Sequence, residues 1–217
     1  GLMGGSIAMA IKNNSSKILA YDKNTQALDD AKSRGIITEA YNDNSINKML
    51  SECDVVFICL YPEDTISFLN EHKNHFKSNA IITDIAGVKS KLYQNTPKEL
   101  LPQKGTNAIF IPGHPMAGGE KEGFLNADKN YFINRNYILL PFENTPIEKI
   151  TYLEKLIYDM GFKRIIKTTA QNHDHKIAFT SQLCHVIASC LVESAEDTNI
   201  TEFGGGSFED LTRIAMI

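Results

Sequence analysis

The sequence has no dense block of lysine and arginine. Its 22 basic residues are scattered among 26 acidic ones, for a net charge of −4. Nucleic-acid binding leans on clustered Lys and Arg, so no nucleic-acid partner is expected. No apolar run reaches the ~18 residues that suggest a membrane span, and no signal peptide is expected ahead of the fold. The expectation is a cytoplasmic protein with no membrane partner. There is no CxxC pair. The four cysteines, Cys53, Cys59, Cys184 and Cys190, each sit in an apolar stretch and are expected as buried, reduced thiols. Histidines, cysteines and carboxylates nowhere adopt ligand spacing, so no metal is expected. Internal repeats and low-complexity segments are also missing.

What is present is the composition of a globular protein. Of 217 residues, 42% are hydrophobic and 22% charged, enough for one large domain, or one domain and part of another. The chain opens on "GLMGGS" without an initiator Met and closes in "DLTRIAMI", within a helix-like pattern. It is expected to be a piece of a longer protein, with segments missing at both ends.

Strand and helix signals alternate through the first two-thirds. "IAMAIKNN" is helical, "KILAYD" is a short buried strand, and "NTQALDDAKSRG" is a helix capped by Asn24 or Thr25 and stopped at Gly35. "DVVFICLYP" is rich in β-branched residues and ended by proline, a buried strand. "EDTISFLNEHKNHF" is an amphipathic helix; "AIITDI", "NAIFIP" and "NYILLP" are strands; "IEKITYLEKLIYDMG" is a helix and "KRIIKT" a final strand. Near-continuous apolar strands separated by helices predict parallel βαβ units, and hence an α/β, doubly wound, Rossmann-like sheet covered on both faces. Near Thr169 the pattern changes. From Ala170 to about Ala195 the apolar spacing predicts one long helix. The expected domains are 1–169, with the first strand missing, and 170–217, a helical domain cut short.

"GLMGGS" carries Gly1 and Gly4 in a GxxG arrangement. Glycines there permit a tight strand-to-helix turn and close approach to a pyrophosphate, on which a helix N-terminus acts favourably. Alone the half-motif fits an ordinary helix entry equally well. Asp22 ends "KILAYD", eighteen positions after Gly4, where the dinucleotide fold places an acid on the adenosine ribose. The candidate cofactor residues are Gly1, Leu2, Met3, Gly4 and Asp22, and the carboxylate favours NAD over NADP. Asp22 also suits a strand-end turn with Lys23 and Asn24. Asp84, Ala86 and Gly87 stand where the strand "AIITDI" gives way to a helix, at the sheet edge that binds ligands. Lys89 reads first as a solvated lysine of the following turn.

"IFIPGHPMAGGEKEGF" ends a buried strand and presents His114 directly after it. A loop histidine is usually exposed or capping. At a strand end beside a nicotinamide it suits a general base that takes a hydroxyl proton as hydride leaves. In "HDHKIAFTSQLCHVIA", Ser181 and His185 are four apart and share a helix face; by position alone His185 is a core histidine. In "GGGSFEDLTRIA", Arg213 suits either an i,i+4 pair with Glu209 or a bidentate grip on a carboxylate.

Together, "GLMGGS", "TDIAGVKSKL", "GHPMAGGEKEGF", "HDHKIAFTSQLCHVIA" and "GGGSFEDLTRIA", in this order, resemble the prephenate dehydrogenase family over essentially the whole chain. The blocks around His114 and Arg213 are the specific ones. The resemblance implies an NAD domain followed by an all-helical dimerisation domain, a homodimer, and oxidative decarboxylation of prephenate to 4-hydroxyphenylpyruvate in tyrosine biosynthesis. It implies that His114 takes the proton of the ring hydroxyl, that Arg213 holds a substrate carboxylate, that His185 and Ser181 add polar contacts, and that Gly206 lets the substrate approach the backbone. Arogenate dehydrogenase and a non-catalytic NAD-binding regulatory module are the alternatives. The chain departs from the family pattern at Gly87, where many members have serine, and at Gln182, where many have histidine.

Overall fold

The structure, a computed structural model, describes residues 1–13, 17–119 and 121–215. Asn14 of the first predicted helix, Glu120 of the histidine loop, and Met216 and Ile217 of the second predicted domain lie outside the described residues. The chain divides into two compact units, Gly1–Ala170 and Gln171–Ile217.

The first unit runs α1 (Leu2–Ile11), β1 (Leu19–Tyr21), α2 (Thr25–Ser33), β2 (Glu39–Tyr41), α3 (Ile46–Glu52), β3 (Val55–Ile58), α4 (Pro62–His72), β4 (Ile81–Asp84), α5 (Ser90–Gln94), β5 (Ile109–Phe110), β6 (Gly113–Pro115), β7 (Asn136–Leu139), α6 (Ile147–Asp159) and β8 (Arg164–Lys167). Local chemistry explains many boundaries. Asn24 caps α2 by accepting the Ala27 N–H at 3.2 Å. Gly35 ends that segment at φ +62° and Gly161 follows α6 at φ +99°, backbone that costs glycine little. Pro62 stands in the first turn of α4, where its missing N–H is no loss. β2 and α3 carry no signal in the sequence reading: the three residues of β2 and the seven of α3 are too few to show a period.

β1 and β2 pair in parallel, as do β3, β4 and β5 in that order. β4 is buried along its whole length, with Ile82 fully enclosed. Burying such a side chain stabilises a fold by roughly 1.5–3 kcal/mol.

The α/β fold class is as predicted, with one pairing of the other sense. The sequence reading ends a strand at "NAIFIP" with His114 just after it; in the structure a second strand, β6, follows at once. Ile111 N–H still bonds Ile82 O at 2.8 Å. Pro112 has no N–H to offer, and beyond it the backbone leaves β4 and pairs antiparallel with β7, which in turn pairs in parallel with β8.

The start of α1 is also corrected. Gly4 and Gly5 do not form a turn ahead of the helix; they lie inside it. A Cβ on Gly5 would stand 2.7 Å from Phe124 Cδ2 and 2.9 Å from Ala127 Cβ, closer than real side chains approach. The glycine lets α1 seat on the segment Phe124–Asn126.

In the second unit, the described residues form α7 (Ala170–Ile177), a π-helical segment (Ala178–Gln182), α8 (Leu183–Glu193), a 3-10 segment (Thr198–Phe203) and α9 (Gly206–Thr212). The predicted long helix is continuous but not uniformly α. The wider π turn contains Ser181 and Gln182, so the simple i,i+4 argument placing Ser181 above His185 does not carry over. Among the described residues no helix is long and apolar enough to cross a membrane.

Candidate functional site

The carboxyl ends of β3 and β4 meet the start of α1. The first intrahelical bond of α1 runs from Gly5 N–H to Gly1 O at 3.0 Å, so the N–H groups of Leu2, Met3 and Gly4 precede the helical ladder. No side chain caps this end and no acidic residue occupies its first turn. Gly4 faces Cys59, the residue after β3: a Cβ there would lie 3.6 Å from Cys59 Cβ and Sγ. Ile58 is in register with Asp84. One edge therefore runs from the α1 N-terminus across β3 to the end of β4.

Asp22 stands beside that helix start. Its Oδ2 accepts from Gly1 N at 2.7 Å and its Oδ1 from the Asn24 N–H at 2.9 Å.

Asp84 is fully buried. Its Oδ2 accepts from Lys89 Nζ at 2.5 Å and from the Ala86 N–H at 2.9 Å, and its Oδ1 accepts the Gly113 N–H at 3.2 Å. Lys89 is equally buried, which overturns its assignment as a solvated first-turn lysine. A buried ammonium needs a charged partner, and Asp84 is that partner. Nothing in the local sequence announces the pair, because it forms only when residues 85–88 turn back over the strand end. Asp84, expected as a cofactor contact, thus has protein donors on both oxygens. Ala86 is buried and Gly87 exposed in the same turn.

His114 is the middle residue of β6, opposite Ile138 of β7, and is half-buried. It is not at the carboxyl end of a parallel strand, yet it arrives beside one, since Gly113 bonds Asp84 of β4. Its imidazole faces Gly87: a Cβ there would lie 3.9 Å from both Cε1 and Nε2. Under β6, Thr83 Oγ1 and Tyr137 Oη are buried without a hydrogen-bond partner of ordinary geometry. Burial pushes the Tyr137 phenol far up, the Thr83 hydroxyl offsetting part of the shift. A cavity of about 560 Å³ opens just past His114, lined by Met116–Gly118, Tyr131 and Arg135 among others.

In the second unit, His185 is half-buried on α8 and its Nδ1 donates to Ile214 O at 2.9 Å. Nδ1 therefore carries the proton. This bond brings His185 to the residue beside Arg213, which closes α9 with its N–H on Glu209 O at 3.0 Å. Gly206 begins α9 and is exposed. Ser181 is half-exposed in the π segment. The cysteines are all free, but only Cys53 and Cys59 are even half-buried; Cys184 and Cys190 are exposed, contrary to the four buried thiols expected. An apolar stretch on a helix buries only the stripe that meets a neighbour.

A parallel β-sheet edge facing a bare helix N-terminus, with an acidic residue ending the adjacent strand, defines a nucleotide-binding α/β protein of Rossmann type. Comparison with known families narrows this. Residues 7–166 match the prephenate dehydrogenase nucleotide-binding domain, and residues 169–216 match the prephenate dehydrogenase dimerization domain. The chain belongs to the prephenate dehydrogenase family. It is 29% identical to prephenate dehydrogenase of Bacillus subtilis (strain 168), over 99% of this chain and 58% of that protein. It is 31% identical to cyclohexadienyl dehydrogenase of Zymomonas mobilis, over 99% of this chain and 73% of that protein. A crystal structure of A. aeolicus prephenate dehydrogenase in complex with hydroxyphenyl propionate and NAD+ superposes with a TM-score of 0.84 at 26% identity, over 99% of this chain and 74% of that one. The chain thus spans less than two-thirds of the length of the B. subtilis relative.

Proposed function

We propose that the protein containing this chain catalyses NAD-dependent oxidative decarboxylation of prephenate to 4-hydroxyphenylpyruvate, with residues 1–169 as the NAD domain and 170–217 as the start of the helical dimerisation and substrate domain. The single observation that carries the proposal is the fixed placement of His114, on β6 against Gly87, at the sheet edge that the α1 N-terminus also meets.

The residues fit the cofactor. The N–H groups of Leu2, Met3 and Gly4 and the helix dipole suit a pyrophosphate. Asp22 suits the ribose hydroxyls and repels a 2′-phosphate. Ala86 and Gly87 would line the nicotinamide end, on the turn that Asp84 anchors. When bound, NAD+ supplies the hydride acceptor.

The chain's own work is positioning and proton transfer. His114, as a neutral imidazole, accepts the proton of the ring 4-hydroxyl as the carbon beneath it is oxidised. Loss of CO2 makes the ring aromatic and drives the reaction, so no strong acid or metal is required. Arg213 would grip a substrate carboxylate, His185 and Ser181 would add polar contacts, and Gly206 would admit the substrate to the backbone. The match of residues 169–216 to the prephenate dehydrogenase dimerization domain supports a homodimer built through the helical unit, and the protein is proposed to work in the cytoplasm.

The test is NADH formation by the full chain with prephenate and with arogenate. His114→Asn is expected to lower kcat by about 10²–10⁴-fold while NAD+ affinity stays nearly intact. Unchanged turnover in that variant removes the role of His114. A kcat/KM at least about tenfold higher for arogenate would instead make the protein an arogenate dehydrogenase, a discrimination of only about 1.4 kcal/mol. NAD+ binding without turnover of either substrate would identify a regulatory module.

A further inference from the structure

The buried pair Asp84–Lys89 does more than fill the end of β4. One carboxylate reaches both pieces of backbone that frame the His114 ring. Its Oδ1 holds the N–H of Gly113, the residue directly before His114, at 3.2 Å. Its Oδ2 holds the N–H of Ala86 at 2.9 Å, and the next residue, Gly87, is the one that faces the imidazole. Lys89 Nζ, 2.5 Å from the same Oδ2, neutralises the charge in a place where neither side chain touches solvent. The bond to Gly113 matters because β6 has only short support of its own. Pro112 ends the ladder with β4, and β6 pairs for three residues with β7.

We propose that Asp84, with Lys89 as its counter-ion, is a positioning residue for His114. It locks the strand that carries the imidazole to the turn that abuts it, so that the ring nitrogen is pre-aimed before substrate arrives. This rests on His114 being the proton acceptor of the proposed reaction. A misplacement of about 1 Å in such a group can reduce turnover about a hundredfold, and catalytic groups depend on neighbours that lock their rotamers. An ion pair with no solvent contact is also costly to bury.

The test uses the full chain carrying Asp84→Asn, and the double variant Asp84→Asn/Lys89→Met, which leaves no unpaired charge to unfold the protein. Asparagine keeps at most one of the two backbone contacts, because its amide nitrogen cannot accept an N–H. The expected result is a kcat at least about tenfold lower, with KM for NAD+ and for prephenate changed less than about threefold. A general loss of structure would move all three. Asp54→Asn, which breaks the exposed Lys77–Asp54 pair, serves as the control with unchanged kcat. The second readout needs no turnover: the ring Cε1–H resonance of His114, assigned by His114→Asn, should shift or broaden in both Asp84 variants and stay in place in the control. A folded double variant with kcat within twofold of wild type and an unmoved His114 resonance overturns the proposal. If no variant, nor the wild type, turns over either substrate, the proposed function fails, and the resonance alone still decides whether Asp84 positions His114.

Discussion

His114 and Gly87 face one another across the end of the sheet, with 3.9 Å between the ring's Cε1 and Nε2 and the place where a Cβ at position 87 would stand. That separation is ordinary van der Waals contact. Gly87 is also free of the left-handed backbone that penalises other residues: it is not among the positive-φ glycines. Gly87→Ala is therefore expected to fold with stability within about 0.5 kcal/mol of wild type, and Gly87→Val, whose branches crowd the ring, to lower kcat much more than it lowers Tm. Thermal melts beside steady-state turnover check both. A collapse of Tm in the alanine variant would mean that the turn tolerates no side chain.

Gly113 is the opposite case. A Cβ there would stand 2.5 Å from Tyr137 Oη, 2.8 Å from Tyr137 Cε1 and 2.9 Å from Thr83 Oγ1. Tyr137 is fully buried in the core, edge-on at 5.0 Å to Phe162, which is itself stacked on Phe132, so it cannot swing aside. Gly113→Ala should destabilise by about 1–3 kcal/mol through overpacking. Tyr137→Phe removes a buried hydroxyl that has no partner of ordinary geometry, and is expected to be neutral or slightly stabilising. The double variant should recover part of the loss. Urea unfolding of the four proteins tests this, and an additive double variant contradicts it.

Asp22 offers a test of cofactor choice. Its carboxylate lies beside the α1 N-terminus and accepts the Asn24 N–H. Asp22→Ala should weaken NAD+ by roughly tenfold, an interaction of about 1.4 kcal/mol, and NADP+ by less, since the repulsion of the 2′-phosphate disappears. Binding of the two nucleotides by titration calorimetry gives the ratio. Equal losses for both would mean that Asp22 serves only the turn with Asn24.

The half-buried thiols predict a pH dependence of stability. Burial pushes Cys53 up to about 11 and Cys59 up to about 12 from an ordinary 9.0. Below the ordinary value both states hold the proton and nothing is lost. As pH rises through 9.0, the unfolded thiols ionise first, and stability falls until the folded values are passed. The urea midpoint should drop as pH rises from 9.0 towards about 11, and the drop should shrink in Cys53→Ala and Cys59→Ala. An equal drop in the two variants would assign it to other groups, such as the buried Tyr137 phenol, whose shift has the same sign.

Much of the fold was legible because its signals are local. Asn24, Gly35, Pro62 and Gly161 mark helix ends through their own backbone chemistry, and the apolar runs of β3, β4 and β7 need no partner to be seen. The order of strand and helix signals then implied the α/β class, and the histidine and arginine blocks carried the family resemblance.

The pieces that aim the site had no such signal. The turn of the chain at Pro112 from β4 to an antiparallel partner depends on where β7 lies. The burial of Lys89 depends on a carboxylate at the end of the strand before it. Gly5 has no assigned role until Phe124 and Ala127 arrive beside it. Amino-acid order by itself determined which residues could cap, turn, alternate and react, since those properties belong to a residue and its neighbours in sequence. Only the tertiary structure decided which of them meet, because a buried charge, a missing Cβ or an unpaired N–H has consequences only once another part of the chain is packed against it.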